Sequence, residues 1–282
     1  MRRSIASMVL ASAVMSASLG VASAAPARSS TPPVSGPISA AGARPSWTMQ
    51  APVAAGSAGP LLAEAQQVFQ SMQQTKYDHQ YTITPASGTY FWDCIGFTNW
   101  AMRQATPNAW QAFHTAMNVP TQNSGLVYLW AKFITSGSMG ASWQSVPTVT
   151  SLSGGELMIV PGETVSNGAV VYGASPGQTS YEGHALIVAG PALKLRDGSY
   201  ALFVYDSTAL PGHGAYDSRL TDGRALPLAG TTANYSGTGF GTIRLTVNSS
   251  GVPTAVYWSG NAKQPITFQN EPVVPVFARP LN

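Results

Sequence analysis

The sequence predicts an α+β domain in which N-terminal helices pack on a mostly antiparallel β-sheet. Two observations carry this. Apolar residues recur at helical spacing in several segments of the first half, and from about Val146 the texture changes to short β-branched and aromatic runs broken by Gly, Pro, Asp and Asn. Helices come first and strands second, which is the order of an α+β arrangement.

The elements follow in chain order. Pro60 stands at the first turn of a helix over Leu61 to Met72, where Leu61, Leu62, Ala65, Val68, Phe69 and Met72 recur at helical spacing. A polar, turn-rich stretch from Asp78 to Gly88 leads into a short extended run, Thr89-Tyr90-Phe91-Trp92. Cys94 to Gln104 reads as a helix capped by Asp93, with Ile95, Phe97, Trp100 and Ala101 apolar. Two more helices are predicted over Pro107 to Met117, opened by the cap and first-turn pair Thr106-Pro107, and over Ser124 to Ser136, with a Leu126, Leu129, Trp130, Phe133 stripe. Strands are predicted near Glu156 to Val160, Ala169 to Tyr172, His184 to Ala189, Tyr200 to Tyr205, Thr242 to Val247, Thr254 to Trp258 and Val273 to Phe277.

The N-terminus reads as a processing segment rather than as part of the fold. Arg2 and Arg3 precede an uncharged apolar stretch from Ile5 to Val21, and Ala22-Ser23-Ala24 is the small-residue pattern a signal peptidase accepts. Cleavage after Ala24 is expected, because cleavage after Ala25 would leave Pro26 as the first residue. The stretch is short and Ala/Ser-rich for a membrane anchor, and no other segment reaches the roughly 18 uninterrupted apolar residues of a bilayer span. The expectation is a signal peptide at 1–24, a secreted mature protein, periplasmic or extracellular, and no membrane span. Residues 25–59 are Ala-, Pro-, Ser- and Gly-rich without periodicity and read as a tether. The domain then covers 60–282.

Composition narrows the function classes. Charged residues make up 9% of the chain and hydrophobic residues 44%, so a core of ordinary size is available. Loss of Arg2 and Arg3 with the signal leaves basic and acidic residues nearly balanced, which excludes a nucleic-acid surface. No cofactor is expected. With no second cysteine, no His-x-x-x-His pair and no carboxylate cluster at ligand spacing, no metal site is expected. Gly237-Thr238-Gly239-Phe240-Gly241 lies between strand-like segments and reads as a bend or bulge, not as a phosphate loop.

The chain has 1 cysteine, Cys94. A single cysteine cannot form a disulfide within the chain, so it is buried and inert, an intermolecular link, or reactive. A reactive cysteine needs its thiolate, which a helix N-terminus or a neighbouring imidazolium favours. Cys94 directly follows the cap residue Asp93, and Gly96 in the first turn leaves room for a backbone to approach.

Tyr90-Phe91-Trp92-Asp93-Cys94-Ile95-Gly96-Phe97 resembles the Asp-Cys-Ser-Gly-Phe element of NlpC/P60 cell-wall endopeptidases, papain-like enzymes whose nucleophile is that cysteine. Two later segments resemble that family in the same order. Ser153-Gly154-Gly155-Glu156-Leu157 looks like its Pro-Gly-Asp-Leu turn, and Gly183-His184-Ala185-Leu186-Ile187-Val188 looks like the strand opening with its catalytic histidine. Ile95 stands in place of the serine, Glu156 in place of the aspartate, and the interval between Cys94 and His184 is longer than in compact members.

The resemblance implies a papain-like fold and hydrolysis of amide bonds in peptidoglycan stem peptides, or another peptide substrate, with Cys94 as nucleophile and His184 as base. His184 is expected at a sheet edge, facing the helix that carries Cys94. Asp206, ending the next strand, falls where a residue orienting the histidine belongs, or else it caps the turn before Ser207-Thr208. Asp217 is a lesser candidate, and His114 and His213 are weaker bases. For the oxyanion and the cleft, the backbone N–H of Cys94 is joined by Tyr77, His79, Tyr81, Tyr90 and Asp93 as candidates. The competing expectations are an inactive cell-wall or protein-binding module on the same fold, and a papain-like acyl or glutamine transferase.

Overall fold

A computed structural model of the chain describes residues 59–119, 127–137, 139–166, 169–172, 183–209, 211–228, 235–268 and 271–281. The expected signal peptide, the tether up to residue 58 and the first residues of the helix expected from Ser124 lie outside the described residues. Gly59, expected to end the tether, is the N-cap of the first helix.

Helix α1 (Pro60–Ser71) is followed by strands β1 (Gln74–Lys76), β2 (Thr82–Thr84) and β3 (Thr89–Phe91). Three helices come next: α2 (Cys94–Ala105), α3 (Pro107–Met117) and α4 (Val127–Thr135). The strands that follow are β4 (Trp143–Ser145), β5 (Leu157–Pro161), β6 (Glu163–Ser166), β7 (Ala169–Tyr172), β8 (Gly183–Val188), β9 (Leu193–Lys194) and β10 (Tyr200–Thr208). Strands β11 (Gly237–Val247), β12 (Pro253–Tyr257), β13 (Thr267–Phe268), β14 (Glu271–Pro272) and β15 (Val276–Pro280) complete the chain.

The protein is α+β, with a mostly antiparallel sheet. Seven strands run in the order β12-β11-β10-β8-β5-β15-β4, β9 pairs with β10, and each pairing in this sheet is antiparallel. A smaller sheet, β1-β3-β2, contains the parallel pair β1 and β3. The last strand was expected over Val273 to Phe277 but lies further on, at Val276–Pro280, between β5 and β4.

The side-chain period of two explains how the inner strands are buried on both faces. Leu157, Ile159, Ala185 and Ile187 pack with Leu61, Leu62, Phe97, Phe113 and Trp130 from the helices. Their neighbours Met158, Val160, Leu186 and Val188 join Leu202, Val204, Ile243 and Leu245 in a second core on the opposite face. His184 pairs with Val160 in register, and Asp206 lies two residues beyond Val204, so both have the parity of this second face. β8 is an inner strand, so His184 opens a central strand instead of an edge strand, and its ring still faces Cys94 at the start of α2.

Turn chemistry ties the sheet to its C-terminus. Gly154 and Gly155 have φ of 110° and 85°, a region that only glycine enters freely, and they turn the chain into β5. The buried Glu156 carboxylate closes this turn by accepting the N–H groups of Ser153 at 3.1 Å and Gly154 at 2.8 Å. It also pairs with Arg279 of β15, which joins the beginning of β5 to the end of the chain.

Candidate functional site

Cys94 is the first residue of α2 and is buried. Asp93 caps the helix, its Oδ1 accepting the Gly96 N–H at 2.7 Å, so this expected cleft candidate fixes the start of the helix. The Tyr81 hydroxyl donates to the same Oδ1 at 2.8 Å, and His79 Nδ1 meets Oδ2 at 3.0 Å. Gly96 was expected to admit a backbone. A Cβ there would lie 2.8 Å from Tyr81 Cζ, so the space is filled by the phenol ring instead.

The run before Cys94 is bound to the large sheet. Ser207 Oγ donates to the Trp92 carbonyl at 2.9 Å, and Trp92 Nε1 donates to Thr238 Oγ1 at 2.7 Å. Thr75 Oγ1 donates to the Tyr90 carbonyl at 3.0 Å and accepts the Thr238 N–H at 2.8 Å. The start of α2 is therefore set against β10 beside Asp206 and against the beginning of β11.

His184 stands between Cys94 and Asp206. Its Nε2 lies 2.7 Å from Asp206 Oδ2, and the Cys94 sulfur is close enough to act on the charge of the ring. With Nε2 engaged by the carboxylate, Nδ1 is the ring nitrogen left for sulfur. Burial opposes a charge on this imidazole, but the neighbouring Cys94 sulfur and Asp206 carboxylate outweigh it, and its pKa is pushed up to about 10. Asp206 caps no turn, since it lies inside β10 paired with Gly239.

The surroundings of Asp206 contain two residues that were not foreseen in their place. His213, which was expected to be a weaker base, has Nε2 at 3.1 Å from Asp206 Oδ2 and Nδ1 at 3.0 Å from the Trp258 carbonyl. Arg219, fully buried, pairs with Asp206 Oδ1 and donates to the Asp206 carbonyl at 3.0 Å and the Gly237 carbonyl at 2.7 Å. Asp217 does not reach His184. It holds Arg219 Nη1 at 2.9 Å from Oδ1 and 3.0 Å from Oδ2.

Burial would raise the Asp206 carboxyl, yet Arg219, His213 and His184 hold it well below the usual carboxylate range. Burial likewise works against the Arg219 charge, and Asp206 and Asp217 more than restore it.

The glycine-rich run forms no bend or bulge where it pairs with β10. Residues Gly237 to Leu245 pair one to one with Thr208 to Tyr200. A Cβ at Gly239 would collide with the Arg219 side chain, and one at Gly241 with the His213 ring. Small residues at alternate positions of a strand leave space for large groups on that face, and this signal in the sequence could have located Arg219 and His213.

The remaining candidates are dispersed. The Tyr90 hydroxyl meets Ser71 Oγ at 3.3 Å and its ring packs on Trp92, which directs it into the core. His114 is buried within α3 and meets the Val119 carbonyl at 3.1 Å. Tyr77 lines a cleft of about 400 Å³ together with His184, Asp206, Pro211, His213 and Trp258, and Cys94 is not among its lining residues. Among the described residues, no three His, Cys, Asp or Glu side chains gather as a metal site.

A thiol, an imidazole and a carboxylate in this order can generate a thiolate, shuttle a proton and fix the imidazole tautomer. No family model, curated protein or solved structure matches the chain.

Proposed function

We propose that the protein is an exported cysteine hydrolase of papain-like type that cleaves amide bonds. The observation that carries this reading is His184, with the Cys94 sulfur beside it on one side and Asp206 2.7 Å from its Nε2 on the other. An imidazole beside the thiol and held by a carboxylate is placed to take the thiol proton.

In the proposed reaction, Cys94 Sγ attacks the amide carbonyl carbon and forms a C–S bond. The carbonyl oxygen becomes an oxyanion beside the N–H groups of the first turn of α2, which have no partner within the helix. His184 donates its Nδ1 proton to the amide nitrogen as the C–N bond breaks, and the amine departs. A water then loses a proton to His184 and attacks the thioester. The C–S bond breaks, and the acid and the thiolate–imidazolium pair are released. Asp206 keeps Nε2 protonated and the ring in plane throughout.

The substrate class is inferred from the resemblance of the Cys94, Glu156 and His184 segments to NlpC/P60 enzymes, which supports peptidoglycan stem peptides, and the Arg2-Arg3 and Ala22-Ser23-Ala24 pattern supports export. The test is incubation of the protein and its Cys94→Ala variant with purified muropeptides, read by mass spectrometry. New amine and carboxyl termini are expected with the parent protein alone. Cleavage by both proteins, or by neither, contradicts the proposal.

A further inference from the structure

The cleft beside His184 shares the imidazole with the thiol but not the thiol itself. In amide cleavage the acyl carbon is bound to Sγ, while the departing nitrogen takes its proton from the imidazole. A ligand chain continuing from that nitrogen runs past His184, where the cleft begins. Its volume of about 400 Å³ is within the range of small-ligand pockets.

The walls determine what fits. Trp258 stands edge-on to the His184 ring at 5.1 Å, and Tyr77, Ala209 and Pro211 supply further apolar surface. The charged groups in the wall are already matched to each other. His184 and His213 share Asp206 Oδ2, Asp206 Oδ1 is held by Arg219, and the second nitrogen of His213 meets the Trp258 carbonyl. An ionised ligand side chain would find no uncommitted counter-ion among these groups and would lose its hydration without compensation.

We propose that this cleft binds the amine-side residue of the substrate and selects a neutral, apolar or aromatic side chain there. The inference rests on the hydrolase reading for its orientation, but binding can be measured without turnover.

The experiment uses Cys94→Ala protein titrated with N-acetylphenylalaninamide, N-acetyllysinamide and N-acetylaspartamide, followed by calorimetry. The phenylalanine probe should bind at least tenfold more tightly than the two charged probes. Trp258→Ala should weaken it about tenfold, as expected for loss of an aromatic wall, and Trp258→Phe should retain most of the affinity. Circular dichroism on both variants confirms that they fold.

Equal binding of the three probes, tighter binding of a charged one, no binding, or indifference to Trp258→Ala would overturn the inference. Cleavage assays separate the two readings. Cys94-dependent cleavage without a neutral amine-side preference removes the cleft assignment and leaves the hydrolase intact. Probe binding in the cleft without any cleavage removes the hydrolase reading, and the subsite's role with it.

Discussion

Asp206 carries one negative charge and is shared by three side chains, with both imidazoles on Oδ2 and the guanidinium on Oδ1. A buried carboxylate in this position orients His184 while it neutralises Arg219. Asp206→Asn keeps the shape and removes the charge, leaving Arg219 with Asp217 alone. Loss of one partner from a buried ionic group costs about 3–5 kcal/mol, so urea unfolding should register a destabilisation of that order. The proton on His184 gives a second prediction. Its pKa is raised from 6.5 to about 10, so its contribution to stability is complete below pH 6.5 and is lost as pH rises towards 10. Unfolding free energy measured in urea should decline across that window, and His184→Gln should flatten the decline.

At the scale of elements, β11 is shaped by what lies on it. Alanine normally suits a strand better than glycine, but at Gly239 its methyl group would enter the Arg219 side chain. Gly239→Ala should therefore cost about 1–3 kcal/mol, the range for overpacking a filled interior. Gly190→Ala is the control, since a Cβ there meets nothing within 4 Å, and its midpoint in urea should be unchanged. The start of α2 was legible because the cap at Asp93 and the apolar spacing that follows are local signals, and β8 was legible because it is an uninterrupted apolar run after Gly183-His184. The alternating glycines were read as a break because their function depends on Arg219 and His213, which are distant in the chain. β1 and β2, each 3 residues long, are too short for a period of two to register against the polar background.

At the scale of the whole molecule, the site exists only because distant strands adjoin. Residues 94, 184 and 206 come together because β8 pairs with β10 and because Ser207 of β10 holds the carbonyl of Trp92. The order of the sheet was not legible, since β15 enters between β5 and β4 through pairings more than 100 residues apart in sequence. The edge position expected of His184 was misjudged for the same reason, because strand neighbours are settled by the assembled sheet.

The central claim is that this assembly makes Cys94 a nucleophile through His184. With 1 cysteine in the chain, alkylation reports on a single sulfur. The decisive measurement is the rate of iodoacetamide labelling at pH 6, followed by intact mass spectrometry in parent protein and His184→Ala, both shown to be folded. The parent should be labelled at least about tenfold faster, as expected where an imidazolium supports a thiolate. Equal rates, or a parent protein that resists labelling until it is unfolded, would contradict the account.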